Sequence, residues 1–168
     1  MKKTVRFTVA AAMIAAIYAA LTTAIAPIAF GPLQLRISEA MILFAAVSPA
    51  AIPGLTIGCA LANLSSPYGL LDILCGAGAS LLASVFAYSL RKIRLKNIPW
   101  LSPLGAVLFN GLIVGMVIKI TAESDVLYWA AAGEIALGEI ASCYLLGIPL
   151  WLGLEKSGFN RWLLSQTQ

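Results

Sequence analysis

The feature that most constrains this chain is a succession of apolar runs long enough to cross a bilayer. Residues 7–30 contain no charged side chain, and further runs follow at about 40–64, 70–90, 102–120 and 127–154. A hydrocarbon core about 30 Å thick needs roughly 20 residues of helix. With 168 residues, 61% of them hydrophobic, and a mean hydropathy of +0.94, the chain carries more apolar surface than a soluble domain of this size can bury. The expectation is an all-α integral membrane protein, residues 1–168 forming one transmembrane domain.

Several function classes recede on composition. Cys59, Cys75 and Cys143 stand singly in apolar runs, and there is no histidine. That argues against a metal site, a haem ligand and any Ser-His-Asp or Cys-His pair, so no catalytic residue, metal or cofactor is expected. No phosphate-binding Gly-x-x-x-x-Gly-Lys-Ser/Thr loop is present, which leaves nucleotide energy to another subunit. The net charge of +4 is not read as a nucleic-acid signal, because in a membrane protein the placement of basic residues decides their meaning.

The N-terminus, with Lys2, Lys3 and Arg6 before an apolar run and Ala24-Ile25-Ala26 after it, has the outline of a signal peptide. Its apolar part of about 20 residues exceeds a usual signal core and is read as a retained first span. Alanines recur every fourth residue there, as Ala11, Ala15, Ala19 and as Ala12, Ala16, Ala20. Small residues at this spacing let a second helix backbone come close. Ser48-Pro49 and Pro53-Gly54 interrupt the run at 40–64, since proline removes a backbone donor and clashes with the preceding turn. A turn over 48–54 gives two short spans, full crossings or a re-entrant pair. Gly54, Gly58, Ala62 and the pair Gly111, Gly115 repeat the small-residue spacing.

Six crossings with both termini cytoplasmic place Lys2, Lys3, Arg6, Arg91, Lys92, Arg94, Lys96, Lys156 and Arg161 inside, and Arg36 and Lys119 outside. A single crossing at 40–64 would put only Lys2, Lys3, Arg6 and Lys119 inside, against the positive-inside rule. Trp100 and Trp151 then fall at the inner interface and Trp129 at the outer, as aromatic belts. The tail carries Phe159, Trp162, Leu163 and Leu164, which suit a helix on the membrane surface.

Acidic residues show the opposite asymmetry: Glu39, Asp72, Glu123 and Asp125 fall outside and Glu134 and Glu139 within the last span. An ionisable group near mid-span costs about 2.5 to 3.5 kcal/mol, so it faces a cavity or a partner. Glu139 lies about 7.5 Å deeper than Glu134 and about 140° around the helix, so the two cannot both address one small ligand. Glu139 has a structural alternative in pairing with Asn110 or with a hydroxyl in the bundle. Arg36 and Glu39, three residues apart in the polar island 33–39, either pair with each other or line a site with Asn63 and Asp72 on its rim.

The string Phe30-Gly31-Pro32-Leu33-Gln34-Leu35-Arg36-Ile37-Ser38-Glu39-Ala40, with Pro53-Gly54-Leu55, Gly58-Cys59, Leu61-Ala62-Asn63, Asp72 and Gly76, resembles the QueT-type queuosine-precursor transporters. These are S components of energy-coupling factor (ECF) transporters of the bacterial cell membrane. The resemblance implies a six-helix subunit that captures a 7-deazaguanine precursor from outside. It also implies a transmembrane coupling subunit and two cytoplasmic ATPases as partners, the former docking on an alanine face of the first helix. Ala11, Ala15, Ala19 and Ala12, Ala16, Ala20 are both candidate registers.

Physical reasoning supplies the site. A 7-deazaguanine presents two neighbouring donors, N1–H and the 2-amino group, to one carboxylate. Glu134 is the first choice, within the span yet near the outer side, and Glu39 the second, held by Arg36. Asp72, Glu139, Asn63 and Asn110 are further contacts, and Tyr68 or Trp129 could stack on the base. The competing readings are an S component for another vitamin-like solute and a self-contained proton-coupled carrier relaying through Glu134 and Glu139. A membrane-embedded enzyme is disfavoured, since no nucleophile-base pair is visible.

Overall fold

A computed structural model describes residues 3–121 and 127–165, and every regular element among them is helical. Lys2, Glu123, Asp125 and the side chain of Leu164 lie outside the described residues. The order is α1 (Lys3–Ala24), a short α2 (Ala26–Ala29), a 3-10 helix (Ile37–Ala46), α3 (Ala51–Ala62) and a 3-10 turn (Asn63–Ser65). Next come α4 (Gly69–Ser89), α5 (Leu104–Thr121), α6 (Tyr128–Ile140), a π turn (Ala141–Leu146), α7 (Gly147–Lys156) and α8 (Phe159–Ser165). Four stretches are long and apolar enough to cross a membrane: α1, α4, α5 and the continuous run Tyr128–Lys156. The two shorter apolar helices, Ile37–Ala46 and Ala51–Ser65, flank the expected break.

That break is tighter than the sequence implies. The turn occupies 47–50, and α3 starts at Ala51, ahead of Pro53. Pro53 is tolerated in the first turn, where backbone N–H groups have no intrahelical partner anyway. Ser48 closes the turn: its carbonyl accepts from the Ala51 N–H at 3.1 Å and its hydroxyl from the Ala50 N–H at 3.3 Å. Pro149 acts differently in the last span. It stands three residues beyond the π turn, and its missing donor and ring clash loosen the turn before it.

The centre of the bundle is the 3-10 helix. Ten residues is long for this conformation, which rarely exceeds three or four. At about 2.0 Å per residue it reaches about 20 Å, where an α-helix of equal length would reach about 15 Å. Every residue from Ser38 to Ala46 is buried, against α1, α3, α4, α7 and the π turn. A segment apolar on every side beyond Ser38 and Glu39 belongs in such an enclosed position.

Around it the long helices pack in the order α1, α3, α4, α5, α6 through small residues. A Cβ on Gly54 would stand 2.9 Å from the Ala11 carbonyl oxygen and from Ile14, and one on Gly58 would stand 2.8 Å from Tyr18 and 3.0 Å from the Ala15 carbonyl oxygen. Gly115 is equally tight, 2.8 Å from the Ala132 Cα, with Gly111 against Ala132 and Ala136. The two alanine registers of α1 thereby separate. Ala11 and Ala15 are buried against α3 and Ala19 is half-buried, whereas Ala12, Ala16 and Ala20 are exposed. Ala11 and Ala15 are therefore already covered by the chain itself.

Two placements differ from the belt-and-surface picture. Trp151 is 1% exposed and belongs to the core, while Trp100 and Trp129 stand outside at 40% and 68%. The tail helix α8 folds onto the bundle, its Phe159 ring 5.7 Å from Phe44 and its Leu163 buried.

Candidate functional site

Charged side chains inside an apolar bundle must find partners, and here they converge at the end where α1 and α3 finish and α4 begins. Arg36, at the N-terminus of the 3-10 helix, is buried, and its Nε donates to the Ala29 carbonyl at 3.3 Å. One terminal nitrogen donates to Gln34 Oε1 at 3.0 Å and lies 3.8 Å from Asp72 Oδ2; the other contacts Cys59 Sγ at 3.8 Å. The guanidinium also covers the Phe30 ring at 5.0 Å. Arg36–Asp72 is the one ion pair among the described residues, so Arg36 pairs across to α4 rather than with Glu39.

Asp72 is fully buried at the start of α4, and its Oδ1 has no hydrogen-bond partner. Asn63, at the end of α3, donates from Nδ2 to the Asp72 backbone carbonyl at 2.8 Å and leaves Oδ1 unpartnered. Gly76 makes this possible, because a Cβ there would collide with the Asn63 amide. Tyr68, half-buried just before α4, has its phenol pushed above the usual range by burial and then by the nearby Asp72 charge, with Arg36 opposing.

One turn further along the 3-10 helix, Glu39 accepts a hydrogen bond from the Tyr18 hydroxyl. Glu139 of α6 accepts from Asn110 Nδ2 at 2.6 Å, its expected structural pairing, and lies beside Glu39. Carboxylate oxygens of Glu39 and Glu139 and the Cys143 sulfur all lie within 4.8 Å of one another. The single Cys143 S–H proton is shared between Glu139 Oε2 and the Glu39 backbone carbonyl, each 3.5 Å from the sulfur. Thr22 and Ser38 join their hydroxyls at 2.6 Å on the neighbouring side. Among the described residues three acids, Glu39, Asp72 and Glu139, and one cation, Arg36, are buried, with Arg36 paired to Asp72 alone.

A strained loop closes this end. Gln34 is buried with φ of 43°, a left-handed conformation that costs a non-glycine residue about 1 to 3 kcal/mol unless its surroundings hold it. What holds it is the bond to Arg36 and close packing on α6, where a Cβ on Gly138 would run into the Leu33 carbonyl. The loop 31–36 therefore sits directly on the helix that carries Glu139.

Arg36, Glu39, Asn63, Asp72, Asn110 and Glu139 are all brought together, with Tyr68 at the margin. Two favoured residues are not. Glu134 is exposed, off the buried stripe of Ala131, Ala132, Ile135, Gly138 and Glu139, because five residues turn the helix by about 140°. Trp129 is exposed too, its ring tilted against Tyr128 at 4.7 Å. Tyr18, Gln34, Cys59 and Cys143 are contributors that sequence reasoning missed. Gln34 lay within the polar island; the other three look like ordinary core residues.

Comparison with known proteins gives a concordant family and little else. No curated protein and no solved structure matches the chain. The family model described as QueT transporter matches residues 8–156, a stretch that contains every residue of the buried constellation. The chain is a multi-pass membrane protein and belongs to the QueT transporter family.

Proposed function

We propose that this chain is the substrate-binding S component of an ATP-driven ECF transporter and captures a queuosine precursor of the 7-deazaguanine type. The observation that carries this reading is the buried constellation, with three acids to one base and unpartnered acceptors on Asn63 and Asp72. Unsatisfied buried acceptors are costly, about 1 to 3 kcal/mol each, and a donor-rich solute relieves them. A 7-deazaguanine supplies adjacent N1–H and 2-amino donors, and an aminomethyl substituent adds a positive charge that offsets the acidic excess. Glu139 and Glu39 are the carboxylates for the donor pair, taking over the role first given to Glu134. Asp72 and Asn63 are assigned to the substituent, and Tyr68, at the margin of the constellation, to covering the flat ring.

Six crossings with cytoplasmic termini fit the basic-residue asymmetry, with the constellation on the outer side. The stretched 3-10 helix and α3 act as the second and third crossings. ATP hydrolysis belongs to two partner ATPases, and the coupling subunit docks on the exposed register Ala12, Ala16, Ala20. Uptake of a labelled precursor by cells expressing the chain, with and without ATPase and coupling subunits, tests this reading. It predicts uptake only with the complete set. Uptake by the chain alone, driven by a proton gradient, would replace it with the proton-coupled carrier.

A further inference from the structure

At the other end of the bundle is a second polar site that the substrate reading does not use. α4 carries the chain from Asp72 to Ser89, about 25 Å at 1.5 Å per residue, close to the thickness of a hydrocarbon core. There a cavity of about 790 Å³ opens between the end of the 3-10 helix, the end of α4, α7 and α8. Arg91, Lys92, Arg94 and Arg161 line it, with Glu155 as the one acid in its wall. None of these cations forms an ion pair among the described residues.

Two of the arginines are held in place. Arg91 donates to the Tyr88 carbonyl at 2.8 Å and covers the Tyr88 ring at 3.9 Å. Arg94 donates to the Ala46 carbonyl at 3.1 Å and to the Arg91 carbonyl at 2.9 Å, with its guanidinium 5.6 Å from the Trp151 ring. Trp151 and Asn160 also line the cavity, both at least nine-tenths buried, yet the Trp151 indole N–H and both polar atoms of the Asn160 amide have no partner. A cation-rich wall with two spare neutral donors matches the several acceptor oxygens of a phosphate.

We propose that this cavity binds a phosphate-bearing anion, the headgroup of an anionic lipid or a free phosphate. In the proposed topology its level, about 25 Å along α4 from Asp72, is that of the inner lipid phosphates, and α8 with Phe159 and Trp162 flanks it. Charge, volume and unpartnered donors point to this anion whatever solute the opposite end takes.

Native mass spectrometry of the detergent-purified full chain, titrated with phosphatidylglycerol or phosphatidylcholine, tests it. Phosphatidylglycerol should be retained preferentially. In the double variant Lys92→Gln/Arg161→Gln, two exposed side chains, its affinity should fall about 10- to 30-fold, at roughly 1 kcal/mol per cation near an anionic surface. Lys96→Gln, on the same basic loop but outside the cavity wall, should leave it unchanged. Competition by millimolar inorganic phosphate assigns recognition to the phosphate group alone, and retention despite phosphate assigns it to the lipid headgroup. Equal retention of the two lipids without competition by phosphate, or undiminished phosphatidylglycerol affinity in the double variant, overturns the proposal.

Discussion

Asp72→Asn is the most informative single perturbation of the buried constellation. It removes the one ionic partner of Arg36, 3.8 Å away, in a place where neither group meets solvent. Breaking a buried pair from one side typically costs 3 to 5 kcal/mol, because the surviving charge is left uncompensated. Here the separation is longer than a charged hydrogen bond, and Arg36 keeps Gln34 and the Ala29 carbonyl, so about 2 to 3 kcal/mol is expected. Arg36→Met should cost a similar amount, because it strands Asp72 with no cation. The double variant Arg36→Met/Asp72→Leu removes both charges and should recover much of either loss, giving a coupling of at least about 1 kcal/mol. Reversible unfolding in mixed detergent micelles, read by tryptophan fluorescence, supplies all the arms of the comparison. Single variants within about 0.5 kcal/mol of the parent, or losses that simply add, would refute the claim that this pair is electrostatically isolated from water.

Two further outcomes follow from the packing. Gly138→Ala should push the Leu33–Gln34 backbone off α6, costing about 1 to 3 kcal/mol and weakening ligand binding more than Gly133→Ala, where a Cβ meets nothing; calorimetry and melting curves on both variants check this. Ala16→Leu should spare folding and ligand binding yet block copurification of the coupling subunit, whereas Ala15→Leu should destabilise the chain itself by crowding Gly58; pull-down beside thermal unfolding separates the two.

The bundle was legible wherever a local rule decides the outcome. Proline spacing marked the break before α3, and small-residue spacing marked the faces at Gly54, Gly58, Gly111 and Gly115. Charged residues in an apolar run also stand out, which marks Arg36, Asp72 and Glu139 in the sequence. What the sequence could not express is rotation about a helix axis relative to its neighbours. Depth along α6 favoured Glu134, but its angle turns it out of the bundle while Glu139 turns in. The same ambiguity left Ala11, Ala15 and Ala12, Ala16 equivalent until the position of α3 separated them. Tyr18, Cys59 and Cys143 were invisible for another reason: their types are common in apolar cores, and only their contacts with Glu39, Arg36 and Glu139 mark them. The ten-residue 3-10 helix was illegible as well, because its composition is equally that of a buried α-helix.

The most direct test of the binding claim is calorimetric titration of the purified chain with an aminomethyl 7-deazaguanine, compared with an adenine-like analogue that lacks the N1–H and 2-amino pair. Glutamine keeps the shape of glutamate but presents a donor where an acceptor is required. Glu139→Gln should therefore weaken the deazaguanine by roughly 2 to 4 kcal/mol, Glu39→Gln by a comparable amount, and the exposed Glu134→Gln by less than about 0.5 kcal/mol. Parent-like affinity in both Glu139→Gln and Glu39→Gln, or equal affinity of the parent for the two ligands, would contradict the account.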